Sequence, residues 1–210
     1  MKQRYTVTFL YIDCLAGSEK LIWNEVVRRL ESYPAVTVIP LYGGIIRENG
    51  DIYLVCAVRD TERFDDFVID EIRSIRWVTE TSVMFSFNSK LRPETVETVV
   101  QAATQGEKKV AVNVHLDVEP GKEREVFQHL CQLEDTDQVK AWGAFIVLHS
   151  VSVDMVLSLM GESGNEIYAY ISERVRTIDG VWNSTALFGS GVFTTFTSAE
   201  TLREIAKALA

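Results

Sequence analysis

The chain has 210 residues, 47% of them hydrophobic and 24% charged, with a formal net charge of −9. This length admits one large domain or two of roughly 100 residues, the composition excludes a disordered chain, and the acidic field argues against nucleic acid and anionic membrane as default partners. No apolar run reaches bilayer-spanning length, and the three cysteines, Cys14, Cys56 and Cys131, form no CxxC spacing and read as buried reduced thiols of a cytoplasmic protein.

Met1-Lys2-Gln3-Arg4 leads directly into an alternating run, so no secretory leader is expected and a strand is predicted over Tyr5–Ile12. A helix over Ser18–Ser32 follows, then strands over Ala35–Tyr42 and Asp51–Val58. The third strand is apolar at nearly every position, where a half-solvated strand would alternate, so both of its faces are expected to be covered. A helix over Thr61–Ile75 and a strand over Thr79–Phe87 complete the unit. Pro93-Glu94-Thr95 opens a further helix with Val96, Val99, Val100 and Ala103 on one stripe. The polar stretch 105–109 (QGEKK) reads as a linker.

The same order then recurs. Strands are predicted over Val110–Val118, Ala141–His149, Asp154–Met160 and Thr185–Phe196, with helices over Gly121–Leu133 and Asn165–Ile178. Ser198-Ala199-Glu200 opens a last helix carrying Leu202, Ile205, Ala206 and Leu209. Asp51–Val78 aligns with Asp154–Val181 at a constant offset of 103 residues and no gap. Phe64, Phe67, Val68, Ile72 and Ile75 fall on Ile167, Tyr170, Ile171, Val175 and Ile178, one amphipathic stripe repeated in register. Upstream the offset grows by one residue: Asp13 meets Asp117, Gly17 meets Gly121, Glu19 meets Glu123 and Trp23 meets Phe127. The slip is expected in the loop before Val36 and Val139. The predicted fold is therefore α+β, two tandem ferredoxin-like βαββαβ domains of the dimeric α/β-barrel type, each followed by a helix, at residues 1–104 and 109–210.

The second copy reads V-E-P-G-K-E-R-E-V-F from Val118, then Val139, Asp154-Met155-Val156-Leu157 and I-S-E-R-V-R-T-I-D-G-V from Ile171. This resembles the effector-binding and oligomerisation (RAM) domain of the Lrp/AsnC regulators. The first copy is a weaker instance, through Ala16-Gly17-Ser18-Glu19, Asp51-Ile52-Tyr53-Leu54 and Asp70-Glu71-Ile72-Arg73. The resemblance implies a transcription-regulation module that binds a small molecule, plausibly an amino acid, and assembles without its own DNA-binding domain. It implies a homo-oligomer or a hetero-assembly with Lrp/AsnC-type proteins, no direct contact with nucleic acid or membrane, no cofactor and no enzymatic activity. The family's effector loop ends in an aspartate that matches Asp51 and Asp154, where a carboxylate could accept from an ammonium group; the plainer role is a turn residue satisfying backbone N–H groups. Asn49, Gly50, Ser150 and Ser152 are the other polar loop candidates, with Thr81 and Ser184 near the starts of the last strands. The family's glycine three residues before the aspartate is Glu48 and Val151 here.

His115, His129 and His149 show no metal-ligand spacing and read as structural or surface residues, with a single axial haem ligand left open. There is no GxSxG, no phosphate loop and no local Cys/His nucleophile pairing. Two alternatives accompany the sensor reading. One is a structural assembly partner of regulators with degenerate pockets. The other is a haem- or tetrapyrrole-handling enzyme of the dimeric α/β-barrel kind, since paired ferredoxin-like sheets occur in haem-handling and monooxygenase families.

Overall fold

Alternation along the first strand separates two environments. In β1 (Thr6–Cys14), Leu10 and Ile12 pack with Ile22, Trp23 and Val26 of α1 (Glu19–Ser32), whereas Val7 and Phe9 join a different cluster that takes in residues of the second half of the chain. The computed structural model of the chain describes residues 5–33, 38–46, 51–104, 109–148, 153–189, 194–195 and 199–209. After α1 come β2 (Val38–Ile45), β3 (Ile52–Val58), α2 (Thr61–Asp66, continuing as a π-helical turn over Phe67–Ile72), β4 (Val78–Leu91) and α3 (Pro93–Thr104). The second half repeats this order as β5 (Val110–Val118), α4 (Glu123–Gln132), β6 (Val139–Leu148), β7 (Met155–Gly161), α5 (Gly164–Tyr170, with a π turn over Ile171–Val175), β8 (Val181–Phe188), β9 (Thr194–Thr195) and α6 (Ala199–Leu209).

The architecture is α+β, with one antiparallel sheet in the order β8-β5-β7-β6-β4-β1-β3-β2-β9. Strand β4 is long enough to pair twice, with β1 over Val78–Phe85 and with β6 over Phe85–Leu91. Its counterpart behaves likewise: β8 pairs with β5, Gly189 bridges to Ile46, and β9 pairs with β2. The two ends of the sheet therefore meet at Ile46–Gly189 and along Tyr42–Gly43 and Thr194–Thr195.

Three cores follow from this curl. One lies between α1, α2 and the outer face of β1–β4, and a second between α4, α5 and the outer face of β5–β8. The third fills the inner face and draws Phe9, Tyr42, Tyr53 and Met84 from the first half together with Trp142, Phe145, Val156 and Met160 from the second. Val96 of α3 and Leu202, Ile205 and Ala206 of α6 join this inner core, and an Arg203–Glu97 ion pair at 3.0 Å ties the two helices. All seven residues of β3 and all seven of β7 are buried, as expected for strands with two covered faces. Each large side chain so buried contributes about 1.5–3 kcal/mol.

Local signals recur in both halves. Gly17 and Gly121 take φ of +87° and +95° at the strand-to-helix turn, and each donates its N–H to the carboxylate two residues on, Glu19 or Glu123. Asp60 and Ser163 cap α2 and α5 by accepting from Arg63 N and Glu166 N. One alignment differs from expectation. Val38 pairs with Val58 and Val139 with Gly161, so Val38 rather than Val36 is the counterpart of Val139. Counted from the last ladder pairs, Ile45–Ile52 and Ile146–Met155, the second connection is two residues longer than the first, and loops absorb such changes at least cost. Residues 35–37, His149, Gly191 and Phe196 of the expected strands, and Ser198 of the last helix start, lie outside the described residues.

Candidate functional site

Polar side chains on a closed inner face cost free energy unless they find partners. Here they pair across the two halves. Tyr11 on β1 and His115 on β5 occupy equivalent positions: Tyr11 faces Tyr53 and Ser82 in the ladder, and His115 faces Val156 and Thr185. The Tyr11 hydroxyl lies 2.6 Å from His115 Nε2, with the rings edge to face at 5.3 Å. Deeper in, the Tyr42 and Ser158 hydroxyls sit 3.0 Å apart and both donate to Asn113 Oδ1, at 3.1 and 2.9 Å.

Accessibility rises along both strands. Phe9 and Asn113 are buried, whereas Tyr11 and His115 are partly exposed, and so are Asp13 and Asp117 beyond them. The pair can therefore be reached, while the Asn113 cluster is sealed. Burial, reinforced by Tyr53, holds the Tyr11 phenol well above its ordinary range, so it stays protonated beside His115 Nε2. The imidazole tautomer sets which of the two atoms donates. Tyr42 and Tyr53 are raised as well, mainly by burial. Trp142, in edge contact with Tyr42 at 4.5 Å, keeps a buried Nε1 donor with no acceptor among the described residues.

The residues expected from sequence fall in two places. Asp154 accepts from the backbone N–H of Val118 at 2.7 Å, and the Asp51 carboxylate takes the N–H of Cys14. Both N–H groups sit where the β1–β4 and β5–β8 ladders slip register. Desolvation and the neighbouring Asp13 raise the Asp51 pKa. Thr81 and Ser184 are buried on the opposite, helix-facing side of the sheet, where they accept from Arg73 Nε at 2.6 Å and Arg176 Nε at 2.8 Å. Asn49, Gly50, Ser150 and Ser152 lie outside the described residues. Sequence reasoning passed over Tyr11 and took His115 as structural. The available signal was that the offset joining Asp13 to Asp117 also places Tyr11 on His115, two polar rings at inward positions of otherwise apolar strands.

No protein-family model matches the chain, and no curated protein matches it. Solved structures do. An anthrone oxidase-like protein is similar with a TM-score of 0.60 at 12% identity, over 94% of this chain and 95% of that one. A monooxygenase candidate from Fusobacterium nucleatum gives 0.58 at 9% identity, over 94% and 97%. Chlorite dismutase from Candidatus Nitrospira defluvii gives 0.56 at 14% identity, over 100% and 97%. These are folds of the dimeric α/β-barrel type. The likeness corrects the Lrp/AsnC resemblance, and with it the regulator function, the transcription-regulation role and the expectation of no enzymatic activity. The physical reason is visible in the residues that carried the resemblance. The turn glycines, Asp51 and Asp154 on backbone N–H groups, and Arg73 and Arg176 on Thr81 and Ser184 all hold the βαββαβ architecture together. Such a pattern reports fold, and function is decided elsewhere.

Among the described residues no helix is long and apolar enough to cross a membrane, and no group of His, Cys, Asp and Glu could hold a metal ion.

Proposed function

We propose that the chain is an oxidoreductase of the dimeric α/β-barrel kind, in which two tandem ferredoxin-like units, residues 1–104 and 109–210, hold a proton-transfer pair between their sheets. The observation that carries this reading is the Tyr11–His115 contact, a protonated phenol 2.6 Å from an imidazole nitrogen, both partly exposed at the end of an otherwise buried aromatic interior. The neighbours' names, anthrone oxidase-like and monooxygenase, support the same class.

The chemistry follows from the pair. In its Nδ1–H tautomer, His115 offers Nε2 as a base to an acidic C–H or O–H of the substrate. Tyr11, displaced from the imidazole, offers its hydroxyl to the substrate oxygen on which the negative charge develops. Phe9, Tyr53 and Phe145 pack behind the pair, so its surroundings are apolar and aromatic. Anthrone is the first probe, with dioxygen as the oxidant: the deprotonated substrate gives its electrons to dioxygen, one oxygen atom becomes the new carbonyl and the other leaves as water. Oxygen uptake is expected with anthrone, His115→Ala should lower the rate by about 10²-fold or more, and Tyr11→Phe should lower it less. Undiminished uptake by His115→Ala would remove the pair from catalysis.

A second reading, the tetrapyrrole-handling enzyme, is favoured by the chlorite dismutase likeness, which spans the whole of this chain. In the packing seen here the described residues do not fit the macrocycle. His115 Nε2 is engaged by Tyr11, and Phe9, Phe145, Tyr42 and Trp142 occupy the interior. A Soret band on the purified protein, or on addition of haem, lost in His115→Ala, would select this reading over the first.

A further inference from the structure

The two halves differ on one outer face. In the first half the backbone N–H of Leu15 bonds Trp77 O, and that of Ser18 bonds Leu15 O. In the second half Glu119 N–H bonds Gly180 O, and Lys122 N–H bonds Glu119 O. These matched bonds fix the correspondence: Leu15 with Glu119, Ser18 with Lys122, Trp77 with Gly180. One residue before the last pair, Arg76 corresponds to Asp179, and on the first helices Leu21 corresponds to Glu125.

The backbones agree and the surfaces do not. In the second half the Lys122 ammonium bonds Asp179 at 2.5 Å and Glu119 at 3.4 Å, and its stem lies over Gly180. There Lys122 covers the turn, and the groove of that half, about 410 Å³, lies farther along between His129, Leu133, Thr177 and Ile178. In the first half Leu15, Leu21 and Trp77 are 55%, 58% and 38% exposed. A groove of about 420 Å³ runs between α1 and the turn after α2, lined by Leu21, Ile22, Ile75 and Trp77 and by polar residues that include Glu25 and Arg29. Arg76 lies over the Trp77 ring at 4.6 Å and makes no ion pair among the described residues. Trp77 holds a φ of +74°, where the second half has glycine at +92°. A bulky residue in the left-handed region costs about 1–2 kcal/mol, so the fold alone gives no reason for a tryptophan there. The second half carries the complement. Trp182, two residues past Gly180, is 68% exposed and has Asp179 and Glu119 in the same turn region.

We propose that these two faces bind each other between copies of this chain, the Trp182 ring of one copy seating in the Leu21–Trp77 groove of the next, with Arg76 meeting the acidic residues around it. The ring meets the apolar residues of the groove, and Arg76 meets a turn that carries two carboxylates, Asp179 and Glu119, to the one ammonium of Lys122. Such a contact closes either reciprocally between two copies or head-to-tail into a ring or a chain. The inference does not rest on the Tyr11–His115 reading.

Sedimentation velocity over a range of protein concentrations tests it. The intact chain is expected to self-associate, as a dimer or a larger species, and the association to weaken with added salt. Trp182→Ser and Arg76→Glu alter exposed side chains, so each should keep the parent circular dichroism and melting curve while sedimenting as a monomer. Mixing the two variants is the sharper experiment. The groove of the Trp182→Ser chain is intact and so is the Trp182 face of the Arg76→Glu chain, so the mixture should give a one-to-one complex and nothing larger. A parent chain that stays monomeric, a folded variant that assembles like the parent, or a mixture that stays monomeric would each overturn the proposal.

Discussion

Asp51 and Asp154 show what a conserved-looking spacing within one chain can mean at the scale of a residue. Each carboxylate meets the backbone N–H that the slip at the end of β1 or β5 leaves without a ladder partner. Losing that acceptor strands a part-buried donor, which costs about 1–3 kcal/mol. Asp154→Ala is therefore expected to lower the unfolding free energy by about that much in a denaturant titration, and Asp154→Asn, which keeps an oxygen acceptor, to recover most of it. If both variants unfold like the parent, the bond contributes nothing. The same scale explains why the candidate catalytic pair was hard to read. Tyr11 and His115 lie 104 positions apart and meet only because the two halves face each other. Each alone is an aromatic polar residue in a strand, and the repeat carries the relation without stating that the two rings touch.

At the scale of elements, most of the architecture was legible. Amphipathic periods marked the helices, and continuous apolar runs marked β3 and β7. What the pattern missed has local causes. The π turns after α2 and α5 keep a helix-like stripe, so spacing does not reveal them. The second strands were misaligned by two residues because loop length changes on both sides of them. Their true alignment exposes a packing relation. The ladder irregularity in β2 lies between Pro40 and Tyr42, and that in β6 between Ala141 and Gly143, which makes Tyr42 and Gly143 counterparts. Tyr42 projects into the shared interior, whereas Gly143 leaves room for Phe145 and Leu91, whose atoms would lie 2.7 and 2.9 Å from an added Cβ. Gly143→Ala is therefore expected to destabilise by about 1–3 kcal/mol through overpacking, seen as a lower melting temperature. Gly164→Ala, whose Cβ would meet its nearest atom at 3.5 Å, is the control and should change little.

At the scale of the molecule, the inner core joins the halves, and three phenols inside it give a test of that closure. Tyr11, Tyr42 and Tyr53 all have pKa values raised by burial, and the first two hydrogen-bond to residues of the other half. In an unfolded chain a tyrosine titrates near about 10. Below that pH both states keep their protons and stability is unaffected by these groups. Above it the unfolded chain releases phenol protons that the folded chain retains, so stability falls as pH rises, by up to ~1.4 kcal/mol per pH unit for each such tyrosine. The loss continues up to the folded pKa values. During an alkaline titration the phenolate absorbance of Tyr42 and Tyr53 should appear only together with the loss of native circular dichroism. Replacing Tyr42 by Phe should shrink that late rise by one phenol. If these phenols instead ionised before the circular dichroism moved, the interior would be open to hydroxide, and the Asn113 cluster would not be sealed.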